Sequence, residues 1–439
     1  MAGKADGREP RTVLEKMLWE RPQTYDEVSA DFDDLAKKLR ENATMSPRHL
    51  RRLAAGDRAG TTQVTRRVLQ AMFKVPIAEL LSPWHPTVVS GSTGLVLATN
   101  SQDTEQELIA MAAQRARQFA LLTGQENLTN EAMELVYDDV RQLTLDYPQR
   151  PLSELLGNMV TTQENIYGLL ERRTAPEQSR QLYFLSSVTG GLLAKASHDL
   201  ADPSAAMTQA RTAYMCAEHA GHNGLKAWVR GIQSLVAYWA GRPHESIRYA
   251  SSGEELAARS GSTTSVWLPV SEARAWAAVG NAEKSRDAIR RAETAWDSVQ
   301  SDELDELGGI AVFSRSRQLY YAADALSALK SEAVSAQEYA LQAVEAYSDS
   351  THPDWAFGDQ AGSHAALAIS RLMAGELDGA REAVAPILDL PPAQRINGIV
   401  ACTMRVHRTL AMSTLAPSGQ DLLEEIETFA RTPLKSLPR

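Results

Sequence analysis

The sequence predicts an all-α protein: a small N-terminal helical bundle, an irregular linker, then a long solenoid of paired helices. Three observations lead there. From residue 104 onward apolar residues recur at helical spacing in Ala-rich stretches, with almost no β-type alternation. Residues 82–103, SPWHPTVVSGSTGLVLATNSQD, are rich in Pro, Gly, Ser and Thr and break that period, which marks a linker with a short extended piece at GLVLAT. Charge is segregated as well. The 439-residue chain carries a net charge of −10, yet residues 35–75 hold ten Lys/Arg against only Glu41 and Asp57. An acidic body repels a polyanion, so any nucleic-acid contact must run through this one basic window.

Residues 1–11 read as a disordered lead-in, and MAGKADGREP has no apolar run, so no signal peptide is expected. Residues 12–81 form the first helical block. In TYDEVSADFDDLAKKL, Thr24 and Glu27 stand at capping-box spacing and start a helix. In MSPRHLRRLAAGD, Ser46 caps a helix whose first position is Pro47, and Gly56 ends it. Leu50 and Leu53 share one face of this helix, with Met45 at its edge. Arg48, Arg51 and Arg52 fall mainly on the other side. GTTQVTRRVLQAMFKVP adds a helix with Val64, Val68, Leu69 and Met72 inward, and PIAELLSP a short closing one.

This block resembles the Xre/Cro-type helix-turn-helix family. The resemblance rests on five helices, on a third of the form small-polar, basic, apolar, basic, apolar, Gly, and on the closing FKVPIAELL. It implies that Ser46 opens the recognition helix, that Leu50 and Leu53 anchor it, and that Arg48 and Arg51 face the major groove with Pro47 and His49 beside them. There Arg makes paired bonds to guanine. Arg52 shares the basic side, and Arg58, Arg66 and Arg67 suit phosphate contacts, which position a domain without reading bases. The stretch RENATM, between Leu39 and Ser46, is longer than that family's tight turn.

Within residues 104–439 a weak internal repeat is visible. Turn points fall at Ala201, Gly241, Gly280, Lys330 and Gly375, spaced by 40, 39, 50 and 45 residues. Seven residues before them stand Ala194, Ser234, Ala273, Ala323 and Ala368; five residues after stand Ala206, Ser246, Ser285, Ser335 and Ala380. All are small, because antiparallel helices joined by a short turn approach closely only where both crossing residues lack bulk. The same logic underlies tetratricopeptide repeats, and residues 104–439 are read as a tetratricopeptide-like ligand-sensing and dimerisation domain. The spacings exceed the usual period of such repeats, which implies long or irregularly joined helices.

Together the two parts resemble the large helix-turn-helix/tetratricopeptide regulators of actinomycetes, through DYPQRPLSELL, LLERR and above all AEHAGHNGLKAWVRGIQSLVAYWAGR. More distantly they resemble Gram-positive peptide-pheromone receptors. What the resemblance implies is a cytoplasmic transcriptional regulator tied to development or secondary metabolism.

In such a stack the first helix of each pair lines the concave side. Stepping back thirteen, ten, six and three residues from each turn selects Lys195 and His198, Trp228 and Tyr238, Trp267 and Arg274, then Arg317, Tyr320 and Asp324. The final repeat offers only Gly362, Ala365, Ile369 and Leu372. Aromatics with Arg and Lys suit a peptide or a small polar-aromatic effector, although a single Trp on a helix is as readily core.

No phosphate loop, zinc-protease motif or nucleophile elbow occurs, so neither an enzyme nor a cofactor is expected. Cys216, His219 and His222 stand at three-residue steps, but Gly221 ends the helix before His222 and no fourth ligand is evident; a buried Cys with two surface histidines is the reading adopted. DELDE at 302–306 is read as a solvated loop. Two cysteines and the lack of a long apolar run fit a reducing cytoplasm and no membrane partner. The function expected is a homodimeric regulator that binds duplex DNA and responds to a peptide or small molecule. The alternative is an interaction scaffold whose head no longer reads DNA.

Overall fold

The structure is a computed structural model that describes residues 10–19, 21, 23–39, 41, 43–55, 62–73, 75, 77–82, 128–172 and 174–432. Every regular element among these residues is helical. The chain divides into two compact units, before and after residue 104. The expected lead-in up to residue 9, Gly56, Arg58, and the linker from residue 83 on lie outside the described residues.

The first unit holds α1 (Val13–Trp19), α2 (Tyr25–Lys38), α3 (Pro47–Ala54), α4 (Gln63–Phe73) and α5 (Ile77–Leu80). Thr24 and Glu27 form the capping box their spacing predicts, and Ser46 accepts from the His49 amide at 3.2 Å with Pro47 following it. Leu14, Leu18, Phe32, Met45, Leu50, Leu53, Val68 and Leu69 make one core, while Val64 and Met72 are only half-buried. Two bonds close the unit on itself. The Val13 amide donates to Ser82 O at 3.2 Å, and Thr12 Oγ1 to Ala54 O at 2.6 Å in the interior. The turn before α3 is held by Asp33, whose Oδ1 accepts from the Met45 amide at 2.8 Å.

The second unit opens with α6 (Asn130–Asp146) and α7 (Leu152–Leu170). Hairpins follow: α8 (Pro176–Asp199) with α9 (Pro203–Ala220), α10 (Asn223–Trp239) with α11 (Pro243–Ser260), and α12 (Thr264–Ala278) with α13 (Ala282–Ala295). Then come α14 (Arg315–Ser327) with α15 (Ala333–Ala346), and α16 (Phe357–Met373) with α17 (Leu377–Leu388). Last are α18 (Asn397–Ala411) and α19 (Gln420–Ala430).

Four of the five hairpin turns are one device used repeatedly. Ala201, Gly241, Gly280 and Gly375 each take a left-handed backbone, with φ of +62°, +71°, +79° and +84°. Their amides bond three residues back, and the next amides (Asp202, Arg242, Asn281, Glu376) reach five residues back at 2.8–2.9 Å. That paired pattern is a Schellman termination, which satisfies the last carbonyls of the first helix. Ala201 adopts this backbone without the freedom of glycine.

The crossing residues are fully enclosed at these turns, and the buried hydroxyls find partners in the crossing itself. Ser234 Oγ lies 2.8 Å from Ser246 Oγ, and Ser285 Oγ donates to Ala273 O at 3.0 Å. The turn at Lys330 is different. A 3₁₀ turn, Lys330–Glu332, lengthens it, and Ala336, not the expected Ser335, is the buried small residue at the start of α15. The spacings of 50 and 45 have a second cause too: connectors at 296–314 and 347–356 separate those hairpins, whereas Gly221 and Gly261 turn the earlier ones directly.

The first connector folds back across the unit. Gly308 and Gly309 both have positive φ, and a Cβ on Gly309 would sit 2.1 Å from Thr144 O on α6. Thr144 Oγ1 donates to Leu307 O at 3.1 Å. Asp305 accepts from the Thr263 amide at 3.1 Å and from its hydroxyl at 2.5 Å, and Leu304 is fully buried. DELDE is thus a packed segment rather than the expected solvated loop; only Glu303 and Glu306 face out. Among the described residues no helix is long and apolar enough to cross a membrane.

Because both crossing positions are filled by small groups at contact, Ser246→Leu should overpack the junction of α10 with α11. We expect a loss of about 2 kcal/mol or more in urea unfolding, with Ser246→Ala costing at most about half as much. An unchanged urea midpoint for Ser246→Leu would contradict the close crossing.

Candidate functional site

In the first unit, α3 is amphipathic by necessity. Leu50, Leu53 and Ala54 are buried against α1 and α2, so Arg48, Arg51 and Arg52, at i, i+3 and i+4, share the exposed face. Arg51 stacks over the Tyr25 ring at 5.2 Å. His49 is half-buried, with its Nε2 enclosed and without a partner. Arg67, on α4, makes a two-point pair with Glu41 at 2.8 and 3.1 Å, which ties α4 to the turn before α3 and half-neutralises a group expected to meet phosphate. Arg66 is exposed and engaged. Arg58 cannot be placed on this face, since it is outside the described residues.

In the second unit the inner-face residues converge. Lys195, His198, Trp228, Trp267, Arg274, Arg317 and Tyr320 all line one interior cavity of about 80 Å³, counted as space open to the centre of a water molecule. Tyr238 and Asp324 stand just behind it. The groove expected from the sequence takes the form of a recessed cavity whose lining is largely buried. His198, Arg274 and Asp324 are 3%, 3% and 0% exposed, and Trp228 and Trp267 are at once core and lining.

Three sets of contacts enclose it. Ile310, Ala311 and Phe313 of the 296–314 connector form one wall, and Ile396, Ile399 and Cys402 around α18 form another. The Phe357 amide donates to Pro148 O at 3.2 Å, joining the start of α16 to the end of α6. None of these walls is visible in the inner-face count, which covers the hairpins alone.

The two tryptophans sit where they do because glycine stands opposite. A Cβ on Gly191 would lie 2.1 Å from the Trp228 ring, and one on Gly231 would lie 2.6 Å from Trp267. Gly191 and Gly231 occupy the same register in successive repeats, three residues after the tryptophan position. A mid-helix glycine costs about 1 kcal/mol relative to alanine, so a pair in register was the available sequence signal for a close approach. Tyr320 rests likewise on Gly362, and Trp267 stacks on Phe313 with centroids 5.9 Å apart.

Charges inside are organised in three groups. Lys195 pairs with Asp199 at 3.1 Å, and Asp199 also accepts from the Tyr147 hydroxyl at 2.7 Å. Arg317 donates to Asp359 at 2.8 Å and to Val312 O at 2.9 Å. Asp324 accepts from Arg274 Nε at 2.6 Å and also from Arg405 of α18, whose Nη1 lies 3.2 Å from the Tyr238 hydroxyl. Burial alone would raise the Asp324 pKa, but Arg405 and Arg274 outweigh it and hold the carboxyl below its usual range. The Arg274 guanidinium is boxed by Tyr321, Tyr238, Trp239 and Tyr320, at 4.3 to 5.7 Å. Asp199, Asp359 and Arg405 were missed in the sequence. One further helical turn back from Gly375, sixteen residues, would have reached Asp359.

Cys216, His219 and His222 each serve packing. Cys216 is buried beside Ser186, His219 stacks on Tyr183, and His222 Nδ1 caps α10 by accepting from the Leu225 amide at 3.0 Å. His222 is therefore a partly buried cap rather than the surface histidine expected. Among the described residues no group of three His, Cys, Asp or Glu side chains is placed to hold a metal. Compared with known proteins, the chain matches no family model and no curated protein.

Burial lowers the His198 pKa to about 4, with Asp199 only partly opposing, so the folded protein keeps this imidazole neutral. An unfolded chain takes up the proton near pH 6.5, so stability is full above that pH and is lost as pH falls toward 4. The loss amounts to on the order of 3 kcal/mol. Urea midpoints at pH 7 and pH 5 should therefore differ more for the native chain than for His198→Gln. An equal pH response in both would show that this imidazole is not held neutral.

Proposed function

We propose that the chain is a DNA-binding transcriptional regulator: the first unit is an Xre-like helix-turn-helix head, and the second is a tetratricopeptide-like domain that senses an effector. The observation that carries this reading is the exposed Arg48, Arg51 and Arg52 face on a short helix capped by Ser46 and anchored by Leu50 and Leu53. A helix start that gathers cations over a fixed core is suited to a major groove, with Arg48 and Arg51 near base edges and Arg52 and Arg66 near phosphate. The remainder of the chain is net acidic, which favours the basic window as the surface for a polyanion.

Binding is read as homodimeric, with two heads on half-sites that mirror the two-fold axis. The effector is read as occupying the cavity of the second unit. A molecule that binds better to one arrangement of that unit shifts its population, and so the presentation of the two heads. A scaffold role is the second reading. The Arg67–Glu41 pair and the long passage from α2 to α3 favour it, since both depart from what a DNA head requires.

Capture of genomic fragments by the full-length protein, followed by fluorescence anisotropy on a captured fragment, separates the two. We expect Arg48→Ala with Arg51→Ala to weaken binding by at least about ten-fold and to reduce the slope of log affinity against log salt by about two. Equal binding by the double variant, or no retention of the native protein on any fragment in dilute buffer, would favour the scaffold.

A further inference from the structure

The charges around the interior cavity do not balance. Lys195 meets Asp199 and Arg317 meets Asp359, one cation to one carboxylate, but Asp324 alone faces both Arg274 and Arg405. Four cations thus answer three carboxylates, and His198 adds no negative charge. The hydrogen bonding is lopsided in the same direction. Around this cluster the enclosed polar atoms without a partner are Arg274 Nη2, Arg405 Nε and Trp267 Nε1, and all three are donors.

No acceptor on the lining residues or their ion-pair partners is orphaned in this way. The rings around Arg274 offer it only π faces, which are weak acceptors. An enclosed donor without an acceptor costs about 1–3 kcal/mol, so a site that keeps three lacks an acceptor of its own.

The rest of the lining is apolar and aromatic, and the space is small. By water-centre volume it holds roughly six waters, which corresponds to a ligand of about ten non-hydrogen atoms. A peptide of several residues exceeds that. We propose that the cavity binds a small monocarboxylate with an apolar or aromatic body. Its carboxylate accepts from Arg274 and Trp267, and its body lies against Trp228, Ile232 and Phe313. The carboxylate supplies the missing negative charge and an acceptor for two of the three donors, and the body covers the apolar part of the lining.

This inference rests on the effector-sensing reading only in the consequence of binding; binding itself is read without DNA. The test uses full-length protein titrated with phenylacetate and octanoate, each beside its primary amide, followed by tryptophan fluorescence and calorimetry. At least one acid should bind one-to-one and at least about ten-fold more tightly than its amide, the difference expected of one charge-assisted pair.

Arg405→Gln removes the surplus charge from behind the lining and keeps a side-chain amide that can still donate to Asp324. It should lower acid affinity by about ten-fold and amide affinity by clearly less than that. Should that variant fail to fold, the acid-to-amide comparison on the native chain still decides. No saturable binding of either acid at about 1 mM, or equal affinity for acid and amide, overturns the proposal. Intact DNA retention beside absent acid binding removes this site alone. Tight acid binding that leaves DNA retention unaltered upholds the site and removes the reading of this cavity as the effector site of a regulator.

Discussion

The interior of the second unit depends on one carboxylate. Asp324 of α14 is fully enclosed, and it joins Arg274 of α12 to Arg405 of α18, three helices far apart in the chain. A buried charge is tolerable only when it is paired and bonded, so Asp324 is enclosed together with Arg274 and receives Arg405 of α18 as its second donor. That condition fixes where the last helices dock, and docking there creates the wall of Ile396, Ile399 and Cys402 that encloses the cavity. Removing Asp324 would leave the Arg274 guanidinium without its carboxylate in an interior that solvates it poorly.

Repetition does the remaining positioning. The Schellman turns set the angle between the two helices in four of the five hairpins, the small crossing residues set their separation, and glycines in register admit the tryptophans. Each device is local, which explains how aromatic groups from successive hairpins arrive on one side without a contact being specified between distant residues. The enclosed site is then completed by parts that do not repeat: the 296–314 connector and α18.

That division also explains how much was legible beforehand. The helical class, the capping box at Thr24, the cap at Ser46, four of five turns, and the inner-face residues from Lys195 to Asp324 follow from spacing and turn chemistry. Spacing failed where the chain stopped repeating. At the extra 3₁₀ turn of Lys330 the buried small residue is Ala336 and not Ser335. The acidic look of DELDE hid the buried Leu304 and the bonds of Asp305 to Thr263. Arg405 lies beyond the last hairpin, and its relation to Asp324 is a long-range pairing that no periodicity encodes. In the first unit, Arg67 read as a free cation because its partner Glu41 is twenty-six residues away.

The back-folded connector has a consequence for how the second unit comes apart. A repeat array in which each hairpin touches only its neighbours melts piecemeal from its ends and tolerates repeats being added or deleted. Here Gly309 is pressed on Thr144, and Phe357 is bonded to Pro148. Early and late segments therefore share the same joints. Unfolding of the described residues is expected to couple early and late hairpins rather than to run one hairpin at a time.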